Sequence, residues 1–344
     1  MSETLQDIAA AMMADGQGIL AADESTGTIQ KRFDQIGVEN TEANRQAYRE
    51  LLFTADDAMK NYVSGVILFD ETLRQSTLDG RRFAEVIKAA GAVPGIKVDA
   101  GAKPLAAFPG EKVTEGLDGL RGRLQEYYEL GARFAKWRAV IDILPADSLP
   151  TAGAIACNAH ALARYAALCQ ENGIVPIVEP EVIMDGPNSG HDIATCYKVT
   201  ELTLNMVFDE LYAQRVDLTG MILKPNMIVP GANGPQVSTR EVAEQTIACL
   251  KATVPAAVPG IAFLSGGQSD EAATEHLAIM NQIGGFPWKM TFSYGRALQQ
   301  ACLKAWGGKK ENVPAAQAAF KHRAKMNGLA ALGTWRAEDE REAA

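Results

Sequence analysis

Several ionisable residues of this chain stand inside or directly after short apolar segments, where a solvated side chain is out of place. Asp23 ends GILAAD, Lys136 lies in RFAKWRAV, Glu179 and Glu181 lie in VEPEV, and Lys224 lies in MILKPN. Burying such groups unpaired costs several kcal/mol each, so their joint occurrence favours a shared catalytic role. The residue types indicate a nucleophilic amine served by carboxylates.

Lys224 is the candidate nucleophile. Pro225 favours an extended backbone at the lysine, and Lys136 is expected to project into the same cavity. A desolvated lysine near another cation has a lowered pKa and supplies the free amine that attacks a carbonyl. Glu179, Glu181 and Asp23 are candidates for proton transfer to a carbinolamine and then an imine. A lysine paired with Glu179 or Glu181 for stability alone stays open.

Two further groups of residues suit phosphate. The SGG segment at 265–267 precedes a predicted helix, and exposed N–H groups at a helix start bind anions. Arg296 ends FSYGR, where its guanidinium can clamp the same group through two hydrogen bonds. Lys31, Arg32 and Lys97 form a possible second cationic cluster, although Lys31 and Arg32 alone also suit a solvated helix face. The sequence thus indicates one phosphate site and a possible second.

Eight short apolar segments, each bounded by Gly or Pro, alternate with helical patterns. They are 18–24, 63–71, 93–100, 133–140, 174–182, 219–226, 260–267 and 288–296, and the helical patterns include 43–61, 160–173 and 238–252. Segments of this kind are typical of parallel strands buried on both faces. We predict an α/β fold, a (β/α)8 barrel, with its active site at the carboxyl ends of the strands. A doubly wound open sheet is the alternative, weakened because no GxGxxG turn or Walker loop follows any strand.

The helix ends also carry signals. Ser238 and Glu241 predict a capping box, Gly173 is predicted to end a helix, and His160 is predicted to fall near a helix start. Strand side chains alternate between faces, so Lys136 and Arg138 should point the same way.

Composition narrows the class of protein. The 344 residues carry a formal net charge of −9 and 47% hydrophobic residues, which predicts one globular domain over 1–344. The acidic balance argues against nucleic acid or an acidic membrane surface as partner. No secretory segment or run near the ~20 apolar residues of a membrane span is present. The five cysteines form no CxxC pair, so a reducing, cytoplasmic location is expected.

Metal and cofactor motifs are missing from the sequence. His160, His191, His276 and His322 are isolated, without HxxH or HExxH spacing, and no GxSxG occurs. We therefore predict no metal ligands and no cofactor.

The ordered motifs LAADESTGT, IKVD, KWRAV, VPIVEPE, ILKPNM, FLSGGQS and FSYGRALQ resemble those of class I fructose-bisphosphate aldolases, from about Leu5 to Trp335. The resemblance implies a Schiff base on Lys224 and reversible cleavage of fructose 1,6-bisphosphate to dihydroxyacetone phosphate and glyceraldehyde 3-phosphate. Further implied catalytic residues are Glu179 as general acid and base, Glu181 beside it, Asp23 for the carbon 4 hydroxyl, and Lys136 for carbinolamine formation. Implied 6-phosphate residues are Lys97 and Arg138, with Ser25, Thr28, Lys31 and Arg32, and implied 1-phosphate residues are Ser265, Gly266, Gly267, Tyr294, Gly295 and Arg296. A homotetramer acting on phosphosugars is implied too.

Two departures from the family pattern stand out. Thr28 replaces a frequent serine but keeps the hydroxyl, and the segment 337–344 lacks the terminal tyrosine of many members. That acidic segment is predicted to be a flexible tail. Two other functions remain open, a different Schiff-base lyase (transaldolase-like or for a single phosphate) and a phosphosugar-binding protein without catalysis.

Overall fold

The structure is a computed structural model that describes residues 3–144, 150–186 and 189–341. Eight parallel strands close into a barrel, each hydrogen-bonded to its neighbours in chain order. The strands are β1 (Gly18–Ala22), β2 (Val63–Leu68), β3 (Val93–Lys97), β4 (Ala102–Pro104), β5 (Lys112–Thr114), β6 (Phe134–Ile141), β7 (Val175–Val182), β8 (Ile222–Leu223), β9 (Gly260–Phe263) and β10 (Lys289–Tyr294). β4 and β5 form a separate antiparallel pair outside the barrel.

The predicted (β/α)8 barrel is confirmed, and each of the eight apolar segments contains one barrel strand. The open-sheet alternative is wrong because β1 pairs with both β2 and β10, which leaves no edge. The β4–β5 pair was not predicted, since its three-residue strands carry no apolar run.

Helices surround the barrel. They are α1 (Leu5–Met12), α2 (Thr26–Asp34), α3 (Glu42–Phe53), α4 (Asp56–Tyr62), α5 (Asp70–Arg74), α6 (Phe83–Ala89), α7 (Leu120–Glu129), α8 (Ala152–Glu171), α9 (Ile193–Ala213), α10 (Thr239–Thr253), α11 (Asp270–Ile283), α12 (Arg296–Trp306) and α13 (Val313–Ala331). Ser238 caps α10 by accepting from the Glu241 N–H at 3.2 Å, but the reciprocal bond of the predicted capping box, from the Ser238 N–H to the Glu241 side chain, is not made.

Two helix predictions need correction. The pattern 43–61 forms α3 and α4, because the chain leaves the helix at Ala55 (φ −77°, ψ 72°). The pattern 160–173 belongs to α8, which begins earlier, where the Thr151 side chain accepts from the Ala154 N–H at 3.2 Å. His160 therefore lies within α8 and not near its start.

The barrel interior is a packed core that α1 closes at the amino-terminal end. Inward side chains such as Ile19, Phe134 and Ile177 meet Ile8 and Met12 of α1 in one buried cluster. The larger core lies between the strands and the outer helices. The opposite, carboxyl end of the barrel is thereby left as the end at which strand residues can line a cavity.

The C-terminal segment differs from its prediction where the structure describes it. Asp339–Arg341 form a short 3-10 turn, and Glu340 accepts from Arg323 of α13 and from the Trp335 indole. The tail is thus attached at Glu340, which the acidic composition did not indicate, while residues 342–344 lie outside the described residues. Among the helices of the described ranges, none is long and apolar enough to cross a membrane.

Gly95 of β3 provides a test of barrel packing. A Cβ added there would lie 2.3 Å from the ring of Phe134, which is enclosed in the barrel. We expect Gly95→Ala to lower the free energy of unfolding by about 1–3 kcal/mol because the ring has no room to retreat. Gly122→Ala in α7 meets nothing within 4 Å and should be neutral or stabilising. Urea unfolding of both variants checks this, and equal stability would contradict the packing argument.

Candidate active site

A cavity of about 340 Å3 opens at the carboxyl ends of the barrel strands. Six basic and five acidic side chains line it, on a chain with net charge −9. The basic residues are Arg32, Lys97, Lys136, Arg138, Lys224 and Arg296, and the acidic ones are Asp23, Glu24, Asp99, Glu179 and Glu181. The cations are thus concentrated at one place in an otherwise acidic molecule.

The pleat and register of neighbouring strands bring these groups together. In β6, Lys136 and Arg138 both face the cavity, while Trp137 between them is buried in the helix-facing core. β6 pairs in parallel with β7 so that Arg138 is opposite Glu179. The predicted alternation therefore holds, and one sheet edge presents cations and carboxylates side by side.

Four of these groups form a continuous chain of ion pairs. Lys224 Nζ lies 3.1 Å from one carboxylate oxygen of Glu179, and Lys136 Nζ lies 3.3 Å from the other. Lys136 Nζ also donates to Asp23 Oδ2 at 2.8 Å. Lys136, Glu179 and Lys224 are each at most 4% exposed. The sequence left open whether Lys224 pairs with a glutamate. That pair is present, and the same glutamate, Glu179, also pairs with Lys136.

Burial and charge set the protonation states in this chain. Burial acts to raise the pKa of Asp23, but Lys136 and Lys224 outweigh it and hold that pKa well below its usual range. Burial acts to lower the pKa of Lys136, but Asp23 and Glu179 outweigh it and raise that pKa well above its usual range. Asp23 is therefore an anion and Lys136 an ammonium at neutral pH.

Lys97 and Arg138 each have a carboxylate partner in the cavity wall. Lys97 Nζ lies 2.8 Å from Asp99 Oδ1, and Asp99 also accepts from the Gly101 N–H at 3.1 Å. Arg138 pairs with Glu181, which raises the pKa of Arg138 well above its usual range. Both side chains are thereby fixed in place.

The loop after β9 and the start of α12 lie side by side at the cavity. Ser265 and Gly266 line it, and Gly266 has a left-handed backbone (φ 55°). Arg296, the first residue of α12, donates to the Gly266 carbonyl and to Asp185 Oδ2, the latter at 2.8 Å. Arg296 and this loop thus stand together, as predicted for an anion site.

The loop after β1 contributes hydroxyl groups and one arginine. Ser25 and Thr28 line the cavity, with their hydroxyl oxygens 3.1 Å apart. Arg32 pairs with the buried Glu24, and an added Cβ at Gly295 would lie 3.5 Å from Arg32 Nη2. Arg32 therefore lies beside the end of β10.

Three predicted residues do not line the cavity. Lys31 is exposed, so the predicted cluster of Lys31, Arg32 and Lys97 does not form. Gly267 lies one residue beyond the lining of its loop. Tyr294 needs correction, because its side chain is fully buried and its hydroxyl donates to the Ala273 carbonyl of α11 at 2.9 Å. The alternation of β10 turns it towards the helices, where it packs the core.

Three polar or charged side chains of the cavity were not predicted as site residues. Glu24 binds Arg32 and Arg49, Asp99 binds Lys97, and the buried hydroxyl of Ser293 lines the cavity without a hydrogen-bond partner among the described residues. Strand alternation could have identified Ser293, because neighbouring residues of a strand point to opposite faces and Tyr294 points towards the helices. Within the described ranges, no three His, Cys, Asp or Glu side chains gather as metal ligands.

The chain is similar to known proteins over nearly its whole length. Residues 4–344 match the family model described as fructose-bisphosphate aldolase class-I. A probable fructose-bisphosphate aldolase class 1 of Xanthomonas axonopodis pv. citri is 60% identical over 97% of this chain and 99% of its own. The cytoplasmic isozyme 2 of Pisum sativum is 56% identical over 93% and 88%. Plasmodium falciparum fructose-bisphosphate aldolase, solved with TRAP and a small-molecule inhibitor, superposes with a TM-score of 0.94 at 47% identity over 97% and 95%.

Lys136 offers a test of the ion-pair chain. Lys136→Met leaves Asp23 without its paired lysine and Glu179 paired with Lys224 alone, so we expect the free energy of unfolding to fall by about 3–5 kcal/mol. In the wild type, Asp23, with its lowered pKa, contributes stability that is present above its unfolded pKa and lost as pH falls through the folded value. In the variant, the charge of Lys136 no longer opposes the effect of burial on the pKa of Asp23, so Asp23 can take up a proton as pH falls. The loss in the free energy of unfolding should therefore be larger near pH 8 than near pH 5.

Urea unfolding at both pH values measures the loss. The control is Lys60→Met, which removes an exposed i,i+4 pair with Asp56 and should cost at most about 0.5 kcal/mol. A Lys136→Met loss as small as the control, or one independent of pH, would show that the buried chain does not hold its charges as described.

Proposed function

Because this chain belongs to the class I fructose-bisphosphate aldolase family, we propose that Lys224 carries the substrate as a Schiff base. The reaction is the reversible cleavage of fructose 1,6-bisphosphate to dihydroxyacetone phosphate and glyceraldehyde 3-phosphate, and the enzyme is an aldehyde-lyase. The observation that supports the residue assignment most is the sharing of Glu179 by Lys224 and Lys136, at 3.1 and 3.3 Å.

Formation of the Schiff base needs a neutral amine and a proton donor at the carbonyl oxygen. Glu179 is close enough to accept the proton of Lys224, whose nitrogen then attacks carbon 2 of the ketose. Lys136 stays an ammonium because of its raised pKa and stabilises the developing alkoxide, which takes one proton from the attacking nitrogen to become the hydroxyl of the neutral carbinolamine. Glu179, now protonated, gives its proton to the carbinolamine hydroxyl, which leaves as water and yields the iminium.

Cleavage then needs a base for the carbon 4 hydroxyl. Asp23 is an anion within 2.8 Å of Lys136 and accepts that proton. The bond between carbons 3 and 4 breaks, its electron pair moves into the iminium to give an enamine, and glyceraldehyde 3-phosphate leaves. A proton returns to carbon 3, and water hydrolyses the resulting iminium to dihydroxyacetone phosphate and free Lys224. Glu181 fixes Arg138 beside this centre.

We assign the 1-phosphate to the carboxyl end of β9 and the start of α12. Arg296, Ser265 and the Gly266–Gly267 amides, with Gly295, supply its donors, and Arg32 lies alongside. We assign the 6-phosphate to Lys97 and Arg138, with the Ser25 and Thr28 hydroxyls also in the cavity lining. Two separate cationic groups favour a bisphosphate over a single-phosphate substrate.

We also propose that the enzyme acts in the cytoplasm as a homotetramer. The name of the pea relative, a cytoplasmic isozyme at 56% identity, supports the compartment, and the family resemblance supports the assembly. The acidic net charge of −9 disfavours nucleic acid and acidic membranes as partners. Light scattering in solution measures the assembly, and a stable monomer would rule out the tetramer.

Trapping with borohydride tests the nucleophile. Reduction in the presence of dihydroxyacetone phosphate should inactivate the enzyme irreversibly and place one label on Lys224, because that lysine has a carboxylate positioned to deprotonate it. Peptide mass spectrometry locates the label. A label on Lys136 or Lys97, or none, would overturn the assignment.

Substrate selectivity tests the two phosphate sites. Arg296→Ala should weaken binding of fructose 1-phosphate and of the bisphosphate alike, by about 1.5–3 kcal/mol for one charge-assisted contact. Lys97→Ala or Arg138→Ala should penalise the bisphosphate selectively. KM values for both substrates decide the matter, and equal penalties from both ends would contradict the two-site assignment.

A further inference from the structure

The side chain of Gln268 braces the turn that carries the 1-phosphate loop. Its Nε2 donates to the Ser265 carbonyl at 2.9 Å, alongside the backbone bond from the Gln268 N–H to the same carbonyl at 3.2 Å. Nε2 also lies 3.8 Å from the sulfur of Met227, three residues after Lys224. One amide group thus joins the loop to the segment that follows the Schiff-base lysine.

The other end of that amide is held by a buried histidine. His276 lies in the second turn of α11, is 7% exposed, and places Nδ1 2.6 Å from Gln268 Oε1. Because Nε2 of Gln268 faces a carbonyl, Oε1 must face the imidazole, and an amide oxygen only accepts. His276 is therefore the Nδ1–H donor in this bond. Burial lowers the pKa of His276 to about 4, which keeps the ring neutral.

The helix that carries His276 is itself firmly anchored. Thr274, fully buried, joins Asn327 at 2.9 Å and Arg323 at 2.6 Å, both from α13. Ser269 caps α11 by accepting from the Ala272 N–H at 3.1 Å. The imidazole is thus a fixed donor with respect to the barrel, and Gln268 transmits its position to the loop.

The loop has amides for a ligand to use. Neither the Gly266 N–H nor the Gly267 N–H donates to any residue that the structure describes. Gly266 adopts a left-handed backbone, so the direction of these amides depends on how the turn 265–268 is held. A single backbone bond at 3.2 Å is the other internal brace of that turn.

We propose that His276 is a positioning residue for the 1-phosphate, holding Gln268 so that the Gly266 and Gly267 amides stay aimed at the anion. The inference rests on the proposed function, which assigns the 1-phosphate to this loop. Loss of the imidazole donor frees the Gln268 amide to rotate, the loop samples other conformations, and phosphate binding weakens at this end only.

Two substitutions at His276 distinguish the effect of its hydrogen bond from the effect of its size. His276→Leu removes the donor and keeps an apolar side chain, whereas His276→Asn carries an amide N–H near the place of Nδ1. Gln268→Met breaks the same chain without altering α11. Leu250→Ala, in the core of α10, is the control for simple destabilisation. The measurements are the Kd for dihydroxyacetone phosphate, the KM for glyceraldehyde 3-phosphate in the condensation direction, and Tm.

We expect His276→Leu to raise the Kd for dihydroxyacetone phosphate about fivefold with the KM for glyceraldehyde 3-phosphate unchanged. His276→Asn should stay within about twofold of wild type, and Leu250→Ala should lower Tm without moving either constant. Combining His276→Leu with Gln268→Met should add nothing to Gln268→Met alone, because both act through one chain.

The proposal fails if His276→Leu changes the Kd by less than twofold, if His276→Asn is equally impaired, or if both constants worsen together. If His276→Leu does not fold, Gln268→Met must show the same selective loss, and its absence also overturns the proposal. Arg296→Ala distinguishes a failure of the proposed phosphate site from a failure of this inference. If Arg296→Ala leaves the Kd for dihydroxyacetone phosphate unchanged, the proposed 1-phosphate site is wrong. If Arg296→Ala raises that Kd but His276→Leu does not, only the role of His276 is wrong.

Discussion

One buried carboxylate shared by two lysine side chains sets the constraint on which this site depends. Glu179 lies between Lys224 and Lys136, and all three are almost completely withdrawn from water. Lys136 has a second carboxylate partner, Asp23, which completes the set at 2.8 Å from its Nζ. The groups come from β6, β7 and the residues just after β1 and β8, and only a closed barrel brings those four ends together.

The cations that we propose to bind the two phosphates follow a related rule. Lys97, Arg138 and Arg296 each contact a carboxylate at the rim, namely Asp99, Glu181 and Asp185. These pairs hold long, flexible side chains in position and lower the repulsion among cations crowded into one cavity. A phosphate dianion, with more charge and more acceptor atoms than a carboxylate, then competes for cations that are already in place.

The barrel and most of the charged side chains that line its cavity were predictable because both depend on local patterns. Apolar runs bounded by Gly or Pro located every barrel strand, and period-two alternation placed Lys136 beside Arg138 on the cavity face. Two of the predictions that failed concern contacts between residues distant in sequence. Tyr294 turns outward to the Ala273 carbonyl, and Glu340 reaches Arg323; neither partner can be found without the fold.

The central claim is that Glu179 acts in proton transfer and does not merely bind. Glu179→Gln keeps the size of the side chain and removes the base, so single-turnover formation of the trapped iminium should slow by about 10²–10⁴-fold. The Kd for substrate should change less than threefold, since the phosphate-binding residues are untouched. Iminium formation at the wild-type rate, or a loss expressed wholly in substrate affinity, would contradict the account.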